Sequence, residues 1–191
     1  MPVMSKIERA FCCGALWRRS TGAIVGALQV DRLGRDVLEI GSGSGAVAAA
    51  LQQALPGAAV TASDLDPVMV EAAGRRLQPF PAARAVPADA TALPFADDAF
   101  DSVVSCLMLH HIIDWEAAVG EIARVLRPGG MFVGYDLVRT PAATWLHRLD
   151  RSPFRLLTPG ELRDACRAEG LSVDVQPRYR GQAMRFAAIV S

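Results

Sequence analysis

The sequence predicts an α/β fold, a doubly wound and mostly parallel sheet of seven strands with helices on both faces and an antiparallel hairpin at its C-terminal end. Three observations predict it. Short apolar runs alternate with segments of helical periodicity from Asp36 to Leu137. The run Ser102-Val103-Val104-Ser105-Cys106-Leu107-Met108-Leu109 is nearly continuously apolar, as a central parallel strand buried on both faces must be. After Gly170 the alternation stops, and two strand-like runs, 171–178 and 183–190, are joined by Tyr179-Arg180-Gly181-Gln182, short enough for a hairpin.

Residues 1–30 read as a helical arm. Ile7, Phe11, Ala15 and Leu16 recur near helical spacing, and Ile24, Val25 and Leu28 form a second apolar face. The polar stretch Trp17-Arg18-Arg19-Ser20-Thr21-Gly22 is read as a break between them, with Trp17 and Phe11 as candidates for a pocket roof. The first strand covers 36–41 and the first helix 45–55, which Pro56-Gly57 ends. A second strand, 58–63, finishes at Asp64-Leu65-Asp66-Pro67, where Asp66 fits an N-cap and Pro67 the first position of a helix to Leu77. The third strand is 83–86, the fourth 101–109, and a helix over 116–126 is stopped by Arg127-Pro128-Gly129-Gly130. The fifth strand is 131–137, and Thr158-Pro159-Gly160-Glu161 opens the last helix. Helix-crossed connections between parallel strands are expected to be right-handed.

The chemistry concentrates at Val37-Leu38-Glu39-Ile40-Gly41-Ser42-Gly43-Ser44-Gly45. A strand that ends in three alternate glycines and enters a helix offers a backbone able to approach a ligand, and free N–H groups to meet it. Glu39 places a carboxylate at the carboxyl end of the first strand, facing the crevice of an open α/β sheet. Gly41-x-Gly43-x-x-Ala46 also fits the relaxed dinucleotide fingerprint, and a helix-capping turn without a ligand has the same form. Asp64, about twenty residues beyond the turn, suits a ribose, because one carboxylate accepts from two vicinal hydroxyls; capping is its other reading. Asp89, after the third strand, suits an exocyclic amine or caps a turn. His110 and His111 follow the fourth strand. His110 is the first candidate for a general base or for positioning an acceptor, against a structural histidine bonded to backbone, and His147 comes after it.

Composition limits the partners. Lys plus Arg and Asp plus Glu both number 20, so no net field draws nucleic acid or an anionic membrane, and a small acceptor fits better. Cysteines 12, 13, 106 and 166 lack metal-ligand spacing and read as reduced thiols of a cytoplasmic protein. The apolar run 10–17 is short for a signal peptide, and no window reaches the length of a spanning helix. Length suits one domain over 1–191, with an arm at 1–30, a core at 36–137, an acceptor-side connection at 139–157 and a helix with hairpin at 158–191. Trp145, His147, Leu149 and Phe154 on that connection suggest an apolar pocket, or a packed helix. Oligomeric state leaves no mark in the sequence.

Together with Asp64-Leu65-Asp66-Pro67, Ala88-Asp89-Ala90 and Leu126-Arg127-Pro128-Gly129-Gly130, the glycine stretch resembles the class I methyltransferases that use S-adenosyl-L-methionine, in the small-molecule group related to quinone biosynthesis. The resemblance covers residues 36–137, and the terminal hairpin agrees with that Rossmann-like fold. It implies that Gly41, Ser42, Gly43 and Gly45 hold the methionine part of the cofactor and that Glu39 favours its ammonium and sulfonium. It further implies that Asp64 binds the ribose, Leu65 lies against the adenine, Asp89 and Ala90 meet the adenine edge, and Cys106 and Leu107 line the floor beside the methyl group. No metal is implied. The rivals are an NAD(P)-dependent oxidoreductase and a module that binds S-adenosyl-L-methionine without catalysis. Against the first stand Glu39 and the absence of a Tyr-x-x-x-Lys pair, since Lys6 is the only lysine.

Overall fold

A computed structural model describes residues 14–150 and 153–191. In chain order the elements are α1 (Ala15–Gly26), β1 (Asp36–Ile40), α2 (Ala46–Ala54), β2 (Ala59–Asp64), α3 (Pro67–Leu77), β3 (Ala83–Pro87), β4 (Phe100–Cys106), α4 (Trp115–Val125), β5 (Leu126–Leu137), α5 (Pro141–Asp150), α6 (Pro159–Ala168), β6 (Leu171–Arg178) and β7 (Ala183–Val190). The seven strands form one sheet in the order β3-β2-β1-β4-β5-β7-β6. Strands β1 to β5 pair in parallel, and β7 runs antiparallel to both β5 and β6. The predicted sheet, hairpin included, is the one observed.

Alternation along the strands builds a core on each face. Leu38 and Ile40 of β1, Val103 of β4 and Phe132 of β5 pack with Trp115, Val119 and Ile122 of α4 and Leu162 of α6. Val37, Val104, Met131 and Val133 point the other way, to Val25 of α1, Val47 and Leu51 of α2 and Leu77 of α3. Register then places the site. Ile40 stands beside Ser63 of β2 and Ser105 of β4, so the residues that follow these three strands emerge together along one edge. The sheet winds outward in both directions from β1 and β4, and the gap between the loops that follow them is where such folds leave a crevice.

Three expectations are corrected. The polar stretch 17–22 does not interrupt α1, which is continuous through Gly22, because a single helical glycine costs only about 1 kcal/mol relative to alanine. Phe11, Cys12 and Cys13 lie outside the described residues, as does the Trp17 side chain. Strand β4 stops at Cys106 instead of reaching residue 109. Leu107 takes a left-handed backbone (φ 56°) that turns the chain out of the sheet, and Leu109–His111 then form a 3-10 turn. Strand β5 begins at Leu126, five residues early: Leu126 pairs with Phe100 across a register shift, where a proline lacking an N–H is tolerated.

The Arg127 of the Leu126–Gly130 motif acts at the opposite end of the sheet from the glycine turn. Its guanidinium donates to Asp36 Oδ2 (2.8 Å), Asp101 Oδ1 (2.6 Å) and the Ala99 carbonyl (2.9 Å). Asp101 Oδ2 in turn accepts from the Arg35 and Asp36 N–H groups (2.8 and 2.9 Å), so one arginine ties the starts of β1, β4 and β5. Helix α6 opens on a capping box, with Thr158 Oγ1 accepting from Glu161 N–H and Glu161 Oε2 accepting from Thr158 N–H. Thr158→Ala is expected to lower stability by about 1 kcal/mol, read as a fall of about 2–4 °C in melting temperature. An unchanged melting temperature would show that α6 does not depend on this cap.

Candidate functional site

The glycine turn is locked from two sides. Gly41, Gly43 and Gly45 all have positive φ (62°, 53° and 73°), which an L side chain adopts only with strain. A Cβ at Gly41 would stand 2.0 Å from Met108 Cγ, and one at Gly45 would stand 3.0 Å from the Ala73 backbone, so the turn packs against the loop after β4 and against α3. Gly43 N–H donates to Asp64 Oδ2 (2.8 Å), Ser42 N–H to the Ser63 carbonyl (2.9 Å), and Arg76 Nε to the Ser44 carbonyl (2.7 Å). The reach of Arg76 from α3 to the turn has no local signature in the sequence.

Glu39 is buried beneath the N-terminus of α2. Burial pushes its carboxyl well above the usual range; the Ala48 N–H offsets part of this, and the neighbouring Asp64 carboxylate adds to it. Its Oε2 has no hydrogen-bond partner, and neither does the buried Ser42 Oγ. An orphaned buried carboxylate oxygen is costly unless a cationic group completes it. The α-ammonium and sulfonium of S-adenosyl-L-methionine are such groups, and its carboxylate suits the helix end, so the residues present fit that cofactor.

Asp64 is also buried, and burial raises its pKa against the pull of the Asp66 and Gly43 N–H groups. Its Oδ1 accepts from Asp66 N–H (2.9 Å) and its Oδ2 from Gly43 N–H. Each oxygen keeps a second lone-pair site, so the backbone role and the ribose role are compatible. Asp66 caps α3 as expected, accepting from Val68 N–H (3.0 Å) with Pro67 in the first turn. Asp89 caps its own turn, Oδ1 accepting from Thr91 N–H (2.9 Å) and Thr91 Oγ1 (2.7 Å), with Ala90 buried beside it. Leu65 is half-buried after β2.

Cys106 ends β4 between two carboxylates. Burial pushes its thiol up, and Glu39 and Asp136 push it further, so this sulfur stays a protonated wall and no nucleophile. Leu107 follows, its N–H donating to the Tyr135 carbonyl (2.7 Å). On the far side, His110 is buried in the 3-10 turn, and its Nδ1 is bonded to Asp136 Oδ1. Asp136, at the end of β5, is fully buried and also accepts from Leu137 N–H (2.6 Å). It is the main residue the sequence did not reveal, for its partner lies 26 positions away.

Segment 139–157 is an excursion containing α5. A bridge between Val138 and Leu157 pins its base, and Arg155 N–H donates to the His110 carbonyl (2.8 Å). His147 of α5 is buried, with ring centroids 4.8 Å from His110 and 5.0 Å from Phe154. Trp145 is exposed. Among the described residues, no helix is long and apolar enough to cross a membrane.

Five parallel strands completed by an antiparallel pair, with a locked glycine turn and acidic residues along the carboxyl edge, define a class I Rossmann-like methyltransferase fold. The chain belongs to the methyltransferase domain family, which it matches over residues 38–134. It is 37% identical over 115 residues to the demethylmenaquinone methyltransferase of Thermus thermophilus, covering 60% of this chain and 52% of that protein. It is 33% identical over 167 residues to the phthiotriol/phenolphthiotriol dimycocerosates methyltransferase of Mycobacterium tuberculosis, covering 84% of this chain and 62% of that protein. The chain thus spans between half and two thirds of the length of these relatives. Its fold is similar to that of the YcgJ protein of Bacillus subtilis, with a TM-score of 0.74 at 22% identity over 90% of this chain and 97% of that one.

Proposed function

We propose that this chain is an S-adenosyl-L-methionine-dependent methyltransferase acting on a small apolar acceptor, with residues 1–191 serving as one domain. The observation that carries the reading is Glu39, a buried carboxylate with an orphaned oxygen at the glycine turn of a methyltransferase fold. When bound, the cofactor supplies a methyl group already activated by its sulfonium. The residues of the chain bind and align. Glu39 holds the ammonium, and Gly41, Ser42, Gly43 and Gly45 receive the methionine part. Asp64 takes the ribose hydroxyls, Leu65 covers the adenine, and Asp89 and Ala90 meet its amine edge. Cys106 and Leu107 wall the methyl group and keep water from it.

Alignment of this kind supplies much of the rate, since effective molarity is worth roughly 7–11 kcal/mol in good cases. The acceptor lies between the loop after β4 and the excursion that carries α5, and His110, turned by Asp136, positions it. Relatives named for demethylmenaquinone and for phthiotriol/phenolphthiotriol dimycocerosates support an apolar acceptor.

Calorimetric titration with S-adenosylmethionine, S-adenosylhomocysteine and NADH tests the reading. Saturable binding of the two sulfur nucleosides, without NADH binding, is the expected result. Binding of NADH alone, or of none of the three, would overturn it.

A further inference from the structure

Three imidazoles gather beyond the carboxyl end of β4: His110 and His111 from the 3-10 turn, and His147 from α5. One ring nitrogen from each lies within 4.8 Å of the other two. The ring centroids of His110 and His111 are 4.1 Å apart, and those of His111 and His147 are 5.4 Å apart. His110 and His147 are buried, and His111 is partly buried. Because Asp136 engages His110 Nδ1, the nitrogen that His110 has for a ligand is Nε2. The Asp136 side chain is fully buried, and its Oδ2 has no hydrogen-bond partner. A buried carboxylate oxygen in that state is stabilised by positive charge close to it.

A cation among the rings supplies it. Three histidines with a fourth position left open form the donor set of catalytic zinc sites. A carboxylate bonded to the far nitrogen of one histidine is the usual outer support of such a ligand, fixing its tautomer and raising its basicity. We infer that His110, His111 and His147 bind one divalent cation of the zinc class, with Asp136 orienting His110 from behind. Imidazole donors favour zinc, cobalt or nickel over magnesium and calcium, which take oxygen. Nitrogens about 2.0–2.1 Å from a tetrahedral ion stand about 3.4 Å apart. From 4.8 Å, reaching that spacing requires the three rings to draw closer as the ion binds. The open position is next to the loop where the proposed function places the acceptor, and the role of the ion toward the acceptor rests on that reading. An acceptor hydroxyl coordinated there releases its proton to water at a lower pH than it does free, and its oxygen keeps the electron pair.

The test uses the full chain, stripped with chelator, titrated with zinc by calorimetry and with cobalt by visible absorption. One equivalent is expected to bind, and the cobalt spectrum is expected to show tetrahedral ligand-field bands with no thiolate charge-transfer band. H111A/H147A is expected to lose at least 100-fold in zinc affinity, and Asp136→Asn about 10- to 100-fold. Absence of saturable uptake, a thiolate band, or wild-type affinity in H111A/H147A would each overturn the site. The cobalt spectrum of the wild-type chain reads the donor set directly, so a variant that fails to fold leaves the test intact. Titration of S-adenosylmethionine into the metal-free chain is a separate readout, so failure of the metal site and failure of the proposed function are distinguishable.

Discussion

A Glu39→Gln chain is expected to melt above the wild type in the absence of ligand and to bind S-adenosylmethionine far more weakly. Both effects come from one carboxylate. Burial and the Asp64 charge hold the Glu39 pKa well above its usual range, so the folded chain keeps a proton that the unfolded chain gives up near pH 4.3. The folded state therefore binds more protons than the unfolded one between about pH 4.3 and the raised folded value. Stability from this group is fully present below that window and is lost as pH rises through it.

Glutamine keeps the shape and drops the ionisation. The stability difference should thus widen in favour of the variant as pH rises from about 4.3 through the raised folded value. Binding moves the other way, because the ammonium loses its counter-charge. Removing one member of a buried charge pair costs about 2–5 kcal/mol, a loss of affinity on the order of 30- to several thousand-fold. Thermal melts across pH, with and without ligand, read both effects. A variant that binds as tightly as the wild type would remove Glu39 from the site.

Asp64→Ala is expected to damage turn and ligand together. The carboxylate holds the Gly43 and Asp66 N–H groups, and alanine leaves both buried donors unpaired at about 1–3 kcal/mol each. Against this, the change removes a carboxylate whose pKa burial has raised and whose charge opposes Glu39. The two lost bonds outweigh that relief, leaving a net loss of about 1–3 kcal/mol, visible as a lower urea midpoint with an unchanged slope. Affinity for S-adenosylmethionine is expected to fall by at least 100-fold, since hydrogen bonds to a charged acceptor contribute about 1.5–3 kcal/mol each and the ribose offers two. A variant with lowered stability but wild-type affinity would confine Asp64 to the turn.

What was legible in the sequence is what depends on local backbone. Alternate glycines before a helix mark a turn whose positive φ other residues resist, and Asp66-Pro67 supplies both an N-cap and a first-turn proline. The end of β4 was not legible, because hydrophobicity continues through Leu107, Met108 and Leu109 whether they lie in a strand or fold into a 3-10 turn against the core. Polar residues at 17–22 misled for the converse reason: polarity alone does not stop a helix, and Gly22 within the stretch costs only about 1 kcal/mol. Asp136 and Arg76 escaped notice because their meaning lies in partners on other elements. His110 was noticed, but its association with Asp136 and His147 exists only once β4, β5 and α5 are assembled.

The insertion of β7 between β5 and β6 also governs the order in which the chain can be completed during synthesis. Strands β1 to β5 can pair as they leave the ribosome, whereas β6 emerges with no strand to join, since its only neighbour is still to be made. Until residues 183–190 appear, the β5 edge around Phe132 and Gly134 stays open, a row of unpaired backbone groups of the kind that recruits other chains. A ribosome stalled before residue 183 therefore holds a protein whose glycine turn is already built and whose β5 flank is adhesive, and that nascent form is where a chaperone would be needed most.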